Sequence, residues 1–294
     1  MESLLASRET QPGVLECRVN LGLLYPDQFE RSAFENRWPH FVASDPDHAH
    51  VFWREGGDCL VYRSEALIPV ITDGRPPVLL LLGNPASHSI ASGMFFAFEG
   101  ANRAHRFWAT LREAGILDFG WTATTEGSMR SERNRAMKQA LLDLEYRSPF
   151  RIGIATFFSM PSTASKPPWS GVRGLTRLLG RPALRLLGVE EQGRIASLIR
   201  AFMPMRGAVL AFQRDAYEWI RASCAPTYSL DDARAGRLCG TYGHHPGIHL
   251  FCAPPTRLMH SQNVKEVLKQ YQVRMCDVLK SSQGGGPQAR ECAD

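Results

Sequence analysis

Two kinds of hydrophobic pattern divide the chain. Up to about residue 73, aromatic and charged residues are mixed, as in FERSAFENRWPHF and HVFWREGGDCLVYRSEAL. No long helical period runs through them, which predicts an N-terminal extension with short strands over residues 1–73. From Val78 to Leu82 the residues are apolar without a break, with Gly-Arg-Pro-Pro before them and Gly-Asn-Pro after. A short continuous run of this kind reads as a strand buried on both faces, the mark of a parallel sheet covered by helices. Asn102 to Ala114 then places Ala104, Phe107, Trp108 and Leu111 on one helical stripe.

The same strand, loop and helix unit recurs. Arg151 to Ser159 is a short run rich in apolar residues that stops at Met160-Pro161. The basic, Pro- and Gly-containing stretch from Ser162 to Gly188 reads as a loop leading to a helix over Glu190 to Phe202. Ala208 to Phe212 precedes a helix over Asp215 to Arg221, and Ile248 to Cys252 runs through Ala-Pro-Pro-Thr-Arg-Leu to a helix opened by Asn263. Four strands, each followed by a loop and a helix, predict a three-layer α/β/α domain over residues 74–280 with a central, mainly parallel four-stranded sheet. The Gly- and polar-rich tail 281–294 reads as disordered. Ligands of such sheets bind where loops leave the carboxyl ends of the strands. Prolines beside three of those ends, Pro85, Pro161 and Pro254-Pro255, predict rigid loop starts.

Composition narrows the chemistry. The seven cysteines are odd in number and form no C-x-x-C pair, which argues against an iron–sulfur cluster, a zinc ribbon or a disulfide framework. His244, His245, His249 and His260 lack a cysteine or carboxylate at a familiar ligand spacing, so neither a metal nor a cofactor is expected. The longest apolar run is far too short to span a bilayer, and the first residues do not resemble a signal peptide. The expectation is an intracellular, cytoplasmic or nuclear monomer without a membrane partner. The formal charge is +5, unevenly distributed. Between Glu145 and Glu190 no acidic residue occurs, while Arg173 and Arg177 belong to a run of basic ones, a pattern suited to a polyanion or to a solvated basic loop.

Asn84-Pro85 ends the first buried strand, and Phe96 follows twelve positions after Asn84. With HRFWATLREAGI, Gly153 to Pro161, AVLAFQRDAYEWI and Ala253-Pro254-Pro255-Thr256-Arg257, these pieces resemble the uracil-DNA glycosylase superfamily over roughly residues 78 to 280. They are most similar to its mismatch-specific uracil/thymine branch. The resemblance implies a monofunctional DNA glycosylase of base excision repair, which hydrolyses the N-glycosidic bond of a flipped-out uracil or other deaminated or mismatched base. The same resemblance also suits an inactive, nucleic-acid-binding relative.

By carry-over, Asn84 orients the attacking water and Phe96 stacks on the extruded base. Gly83, Pro85, His88 and Thr156 join the base pocket. Pro254, Pro255, Thr256, Arg257 and Leu258 form the DNA-binding loop, with Arg257 or Leu258 as the wedge, and Arg173 and Arg177 add phosphate contacts. The chemistry suits these residue types, because an extruded base needs an aromatic face to replace its former stacking. An asparagine amide cannot act as a base, but its carbonyl can accept a hydrogen bond from water. Asn84 also suits a plain loop-start role, capping backbone N–H groups, and His88 suits either a pocket donor or a solvated loop histidine. The sequence departs from the family where Gly83 directly precedes Asn84, where Ala86 follows Pro85, and where Ala253 replaces the histidine that some branches use on the leaving base.

Overall fold

The computed structural model describes residues 3–98, 105–120, 130–164 and 167–281. Its strands are β1 (Leu5–Gln11), β2 (Val14–Asn20), β3 (Phe52–Glu55), β4 (Cys59–Leu67), β5 (Pro77–Leu82), β6 (Arg151–Thr156), β7 (Gly207–Ala211), β8 (Cys239–Tyr242) and β9 (His245–Cys252). The helices are α1 (Leu21–Leu24), α2 (Gln28–Ala43), α3 (His48–Val51), α4 (Ser87–Ala91), α5 (Arg106–Glu113), α6 (Arg130–Leu142), α7 (Gly171–Leu179), α8 (Arg181–Phe202), α9 (Arg214–Ile220), α10 (Leu230–Arg234) and α11 (Gln262–Ser281).

Among the described residues the strands form one nine-stranded mixed sheet in the order β1-β2-β4-β6-β5-β7-β9-β8, with β3 also paired to β4. The four expected strands are β5, β6, β7 and β9, and they pair in parallel as the central block. The expectation of a four-stranded, mainly parallel sheet fails at the flanks, whose antiparallel pairings outnumber the parallel ones. Antiparallel β4 joins β6 through Ala66↔Ala155 and Leu67↔Ile154 and carries β1, β2 and β3 with it, while β8 adds an antiparallel edge to β9. β1 and β8 lie at the sheet edges and show mixed rather than continuous apolar residues, whereas β4 is largely buried on both faces yet carries Arg63, Ser64 and Glu65.

Two helices also differ from expectation. Phe34, Trp38 and Phe41 recur at helical spacing and pack together in α2 despite Pro39 inside it. The basic stretch from 162 to 188, expected as a loop, contains α7 and the first turns of α8. Residues 102–104 of the helix expected after the first buried strand, and the tail from 282 onward, lie outside the described residues.

Alternation along β5 sends Leu79 and Leu81 into one core with Ala155, Val209 and Leu250, packed by α2, α7, α8 and α9. Val78, Leu80 and Leu82 enter the other core with Ile152, Ile154 and Leu210, packed by α5, α6 and α11. The sheet is therefore covered on both faces, which is why β5 is apolar throughout. Helices α5 and α6, which follow β5, lie on one face, and α7 and α8, which follow β6, lie on the other. β6 and β7 flank β5 on opposite sides. The carboxyl end of β5 is thus the point where the strand order reverses, where open α/β sheets bind ligands.

A buried polar hub fixes the neighbouring strand end. Glu191 of α8 is fully buried, and its Oε1 accepts from the Ser159 backbone N–H at 2.6 Å and hydroxyl at 2.5 Å. Since the Ser159 hydroxyl donates there, the Tyr62 hydroxyl donates to Ser159 Oγ at 2.8 Å. Arg194 gives its Nε to Glu191 Oε2 and its Nη2 to the carbonyls of Thr156 and Phe157. Cys17 lies close by, its thiol pushed up to about 12 by burial, which leaves it inert at neutral pH.

Truncating one member of a buried ion pair strands the other, at about 3–5 kcal/mol. Arg194→Met alone should therefore lower unfolding free energy by that order in a denaturant titration. Combining it with Glu191→Leu should recover part of the loss, and simple additivity would show that the two charges do not depend on each other. A second prediction concerns Glu65 on β4, whose two carboxyl oxygens are buried without partners. Burial pushes this carboxyl from 4.5 up to about 8, against the pull of Lys138. The folded state then holds the proton over a window in which the unfolded chain has released it, so stability should fall as pH rises from about 4.5 to about 8. Glu65→Gln should flatten that pH dependence in thermal melts.

Candidate functional site

A cleft of about 1750 Å³ opens at the reversal point, lined by the loops that follow β5, β6, β7 and β9. Its framework is a short ladder between the first two loops. The Phe157 and Phe158 N–H groups donate to the Leu82 and Gly83 carbonyls, both at 2.8 Å. The Ser162 N–H donates to the Pro85 carbonyl at 3.1 Å, and the Ser87 N–H to the Ser162 carbonyl at 2.9 Å. Pro85 has no N–H to offer, so its carbonyl alone ties it to the neighbouring loop.

Asn84 sits on this shelf, half-buried. Its Nδ2 donates to Ser162 Oγ at 2.9 Å, to the Pro85 carbonyl at 3.2 Å and to the Met160 carbonyl at 3.4 Å. Two of those acceptors are carbonyl oxygens, which only the N–H side of the amide can approach, so the amide orientation is determined by the network. Among the described residues nothing donates to Asn84 Oδ1. The side chain therefore offers the cleft an acceptor whose direction is held by the opposite end of the same amide.

Phe96 lines the same cleft. Its backbone is left-handed, φ 49°, a conformation that costs a non-glycine residue of order 1–3 kcal/mol unless its surroundings enforce it. They do so here: the Phe96 ring stacks on Phe107 at 4.1 Å between centroids, and Trp108 Nε1 donates to the Phe96 carbonyl at 3.1 Å. The ring is braced from behind while remaining partly exposed to the cleft. His88 also lines the cleft and packs edge-on to Phe98 at 5.2 Å. Burial holds its imidazole below the ordinary value against the pull of Asp45 and Asp47, so it is neutral near pH 7.

Gly83, Asn84, Pro85, His88, Phe96, Arg173, Pro255, Thr256 and Arg257 are brought together on this one cleft. Arg257 is exposed on the 3-10 turn Thr256–Leu258, whereas Leu258 packs on the apolar core, so of the two wedge candidates it is the cation that reaches the cleft. Four expected site residues are not among the lining. Thr156 is 1% exposed and its Oγ1 has no partner, because the sheet and α8 close over the end of β6. Pro254 is buried, Leu258 is committed to the core, and Arg177 faces a neighbouring groove.

Sequence reasoning missed Ser162, which holds the Asn84 amide, and Gln213, which lies over the cleft floor. The Ser-Thr pair after Pro161 at a strand exit was the available signal for the first. For Gln213 the signal was Gly83 itself. A Cβ built on Gly83 would stand 1.4 Å from Gln213 Oε1, so the glycine is there to let the amide lie across it. Gln213 Oε1 is buried without a partner.

The cleft is electropositive, with Arg106, Arg173, Arg181, Arg185, Arg214 and Arg257 around it against Asp45, Asp47 and Asp215. Among the described residues no group of three His, Cys, Asp or Glu side chains is placed to hold a metal ion. No helix of the described residues is long and apolar enough to cross a membrane. The chain matches no protein-family model, and no curated protein matches it significantly.

Gly83→Ala should displace Gln213 rather than unfold the protein, costing about 1 kcal/mol in a denaturant titration. Adding Gln213→Ala should remove most of that cost, since the two changes share one contact. Full additivity in the double variant would contradict the close approach.

Proposed function

We propose that the chain is a monofunctional DNA glycosylase of the uracil-DNA glycosylase superfamily, hydrolysing the N-glycosidic bond of a uracil or other deaminated or mismatched base. The observation that carries the reading is that Asn84 and Phe96 both line the cleft at the carboxyl end of β5. There an acceptor oxygen with a determined direction and a braced aromatic face line one cleft large enough for a nucleobase.

In this reading the base leaves the helical stack and lies against Phe96, which replaces part of its former stacking. Asn84 Oδ1 accepts a hydrogen bond from a water and aims the water oxygen at C1′ of the sugar. The C1′–N bond breaks with its electron pair leaving on the base, and a C1′–O bond to the water forms. The water's proton passes to the departing base or to solvent. No strong nucleophile is needed, because the sugar carries most of the positive charge as the bond opens. Orientation is the protein's main contribution at this step, and the Ser162 and Met160 contacts supply it. Six arginines around the cleft favour a phosphodiester ligand.

A uracil-containing oligonucleotide should accumulate alkali-labile abasic sites when incubated with the protein, and Asn84→Ala should reduce the rate on the order of 100-fold or more. Ser162→Ala should give a smaller loss in kcat with KM little changed, since it loosens the amide without removing it. Uracil, hypoxanthine, xanthine and mismatched thymine substrates, single- and double-stranded, all remaining uncut would overturn the reading. Salt-sensitive DNA binding without cleavage would instead identify a nucleic-acid-binding member of the same fold.

A further inference from the structure

A second concavity of about 1080 Å³ lies between α2 and α7, beside the cleft. We infer that it is a phosphate track for the same DNA strand whose base occupies the cleft, an inference that rests on the nucleic-acid reading above. Arg37 comes from α2, Arg173 and Arg177 from α7 and Arg181 from the start of α8, and they line it together with Trp169. Pro168, Arg173, Thr176 and Arg181 line both concavities, so one extended ligand can occupy both.

Three observations meet in this groove. Among the described residues Arg37, Arg173, Arg177 and Arg181 have no ion-pair partner, a state they share with scattered arginines such as Arg63, Arg200 and Arg274, but here four such cations line one concavity. Four unmatched cations around one groove repel each other and are relieved by a bound anion. Arg37 Nε is also buried without an acceptor, an unmet donor in the groove wall.

The third observation is that the groove is built. Trp169 is held edge-on by Phe41 at 5.9 Å, and the Arg177 guanidinium lies 5.2 Å from the Trp169 ring centroid. α7 can pass this close to the Trp169 backbone only because residue 174 is glycine: a Cβ there would stand 2.1 Å from the Trp169 carbonyl oxygen. Cations beside an aromatic platform, continuous with a base-sized cleft, suit a single-stranded segment rather than a small free anion.

Arg37 and Arg177 line the groove but not the cleft, which makes them the variants of choice. Binding of a long single-stranded oligonucleotide containing one uracil is measured over a salt series, with the full chain carrying Arg37→Ala and Arg177→Ala. The slope of log K against log salt should become shallower by about 1.4, which is about 0.7 for each single-strand phosphate that is no longer neutralised. Arg37→Lys with Arg177→Lys should retain most of the slope, because the charge is kept. A trinucleotide that fills only the cleft should bind both forms equally.

An unchanged slope in the alanine pair overturns the track. So does an equal loss in the lysine pair, which would report altered packing, or an equal loss with the trinucleotide, which would report damage to the cleft. Excision is read in the same samples. A slope change without excision would sink the glycosylase reading and leave the track standing, whereas excision without a slope change would sink the track alone.

Discussion

Glu191 is a carboxylate at zero exposure, and the position of the cleft depends on how its charge is met. Removing a carboxylate and a guanidinium from water costs several kcal/mol per ion, which is recovered only if every lone pair and N–H finds a partner. Here the partners are drawn from separate parts of the chain: Ser159 on the loop after β6, Arg194 one turn along α8, and Tyr62 on β4 through Ser159. Arg194 uses its Nη2 on the Thr156 and Phe157 carbonyls, where β6 ends. Such a network tolerates little movement, because a shift of any member leaves a buried polar group unmet. It joins the antiparallel N-terminal strands, the central sheet and the long helix at one point.

From that point the constraint passes to the cleft through the backbone. The segment held by Glu191 and Arg194 continues into the ladder with the loop after β5, and the ladder ends at Ser162. Ser162 in turn accepts from the Asn84 amide. The direction of Asn84 Oδ1 is therefore linked to a buried ion pair on the far side of β6. On the other wall Phe96 is held by a different device, a strained backbone backed by Phe107 and Trp108. The two walls draw on opposite cores of the sheet, Asn84 through the β6 loop and Phe96 through α5. A cleft anchored this way keeps its shape before any ligand arrives, so less ordering is required on binding.

The electrostatics point the same way. The fully buried Glu191 is paired with Arg194, while the arginines along α7, the start of α8 and the loops after β7 and β9 stand around open concavities. An unmatched surface cation is solvated until an anion displaces the water. Asp45 and Asp47 are the acidic counterweight on the cleft, and they act on His88 as well as on any approaching phosphate.

The parallel block was legible in the sequence because strands buried on both faces must be largely apolar, as β5, β6, β7 and the second half of β9 are. Gly-Asn-Pro at the end of β5, with Phe96 twelve residues on, was likewise visible, since both lie close in sequence to one strand end. The antiparallel flanks were not legible, because β1 to β4 and β8 mix polar and apolar residues. Nor were α2 and α7, where Pro39 within one and Gly171, Gly174 and Gly180 in and beside the other read as breakers. What only the tertiary structure decided was which distant residues meet. Thr156 is sealed beneath the sheet end although its position suggested a base contact, and Arg177 turns to the groove rather than the cleft. Ser162 and Gln213 become neighbours of Asn84 and Gly83 only because parallel pairing brings the ends of β6 and β7 alongside β5. Local pattern records how a residue is buried; it holds no record of the register that brings side chains far apart in the chain to the same strand end.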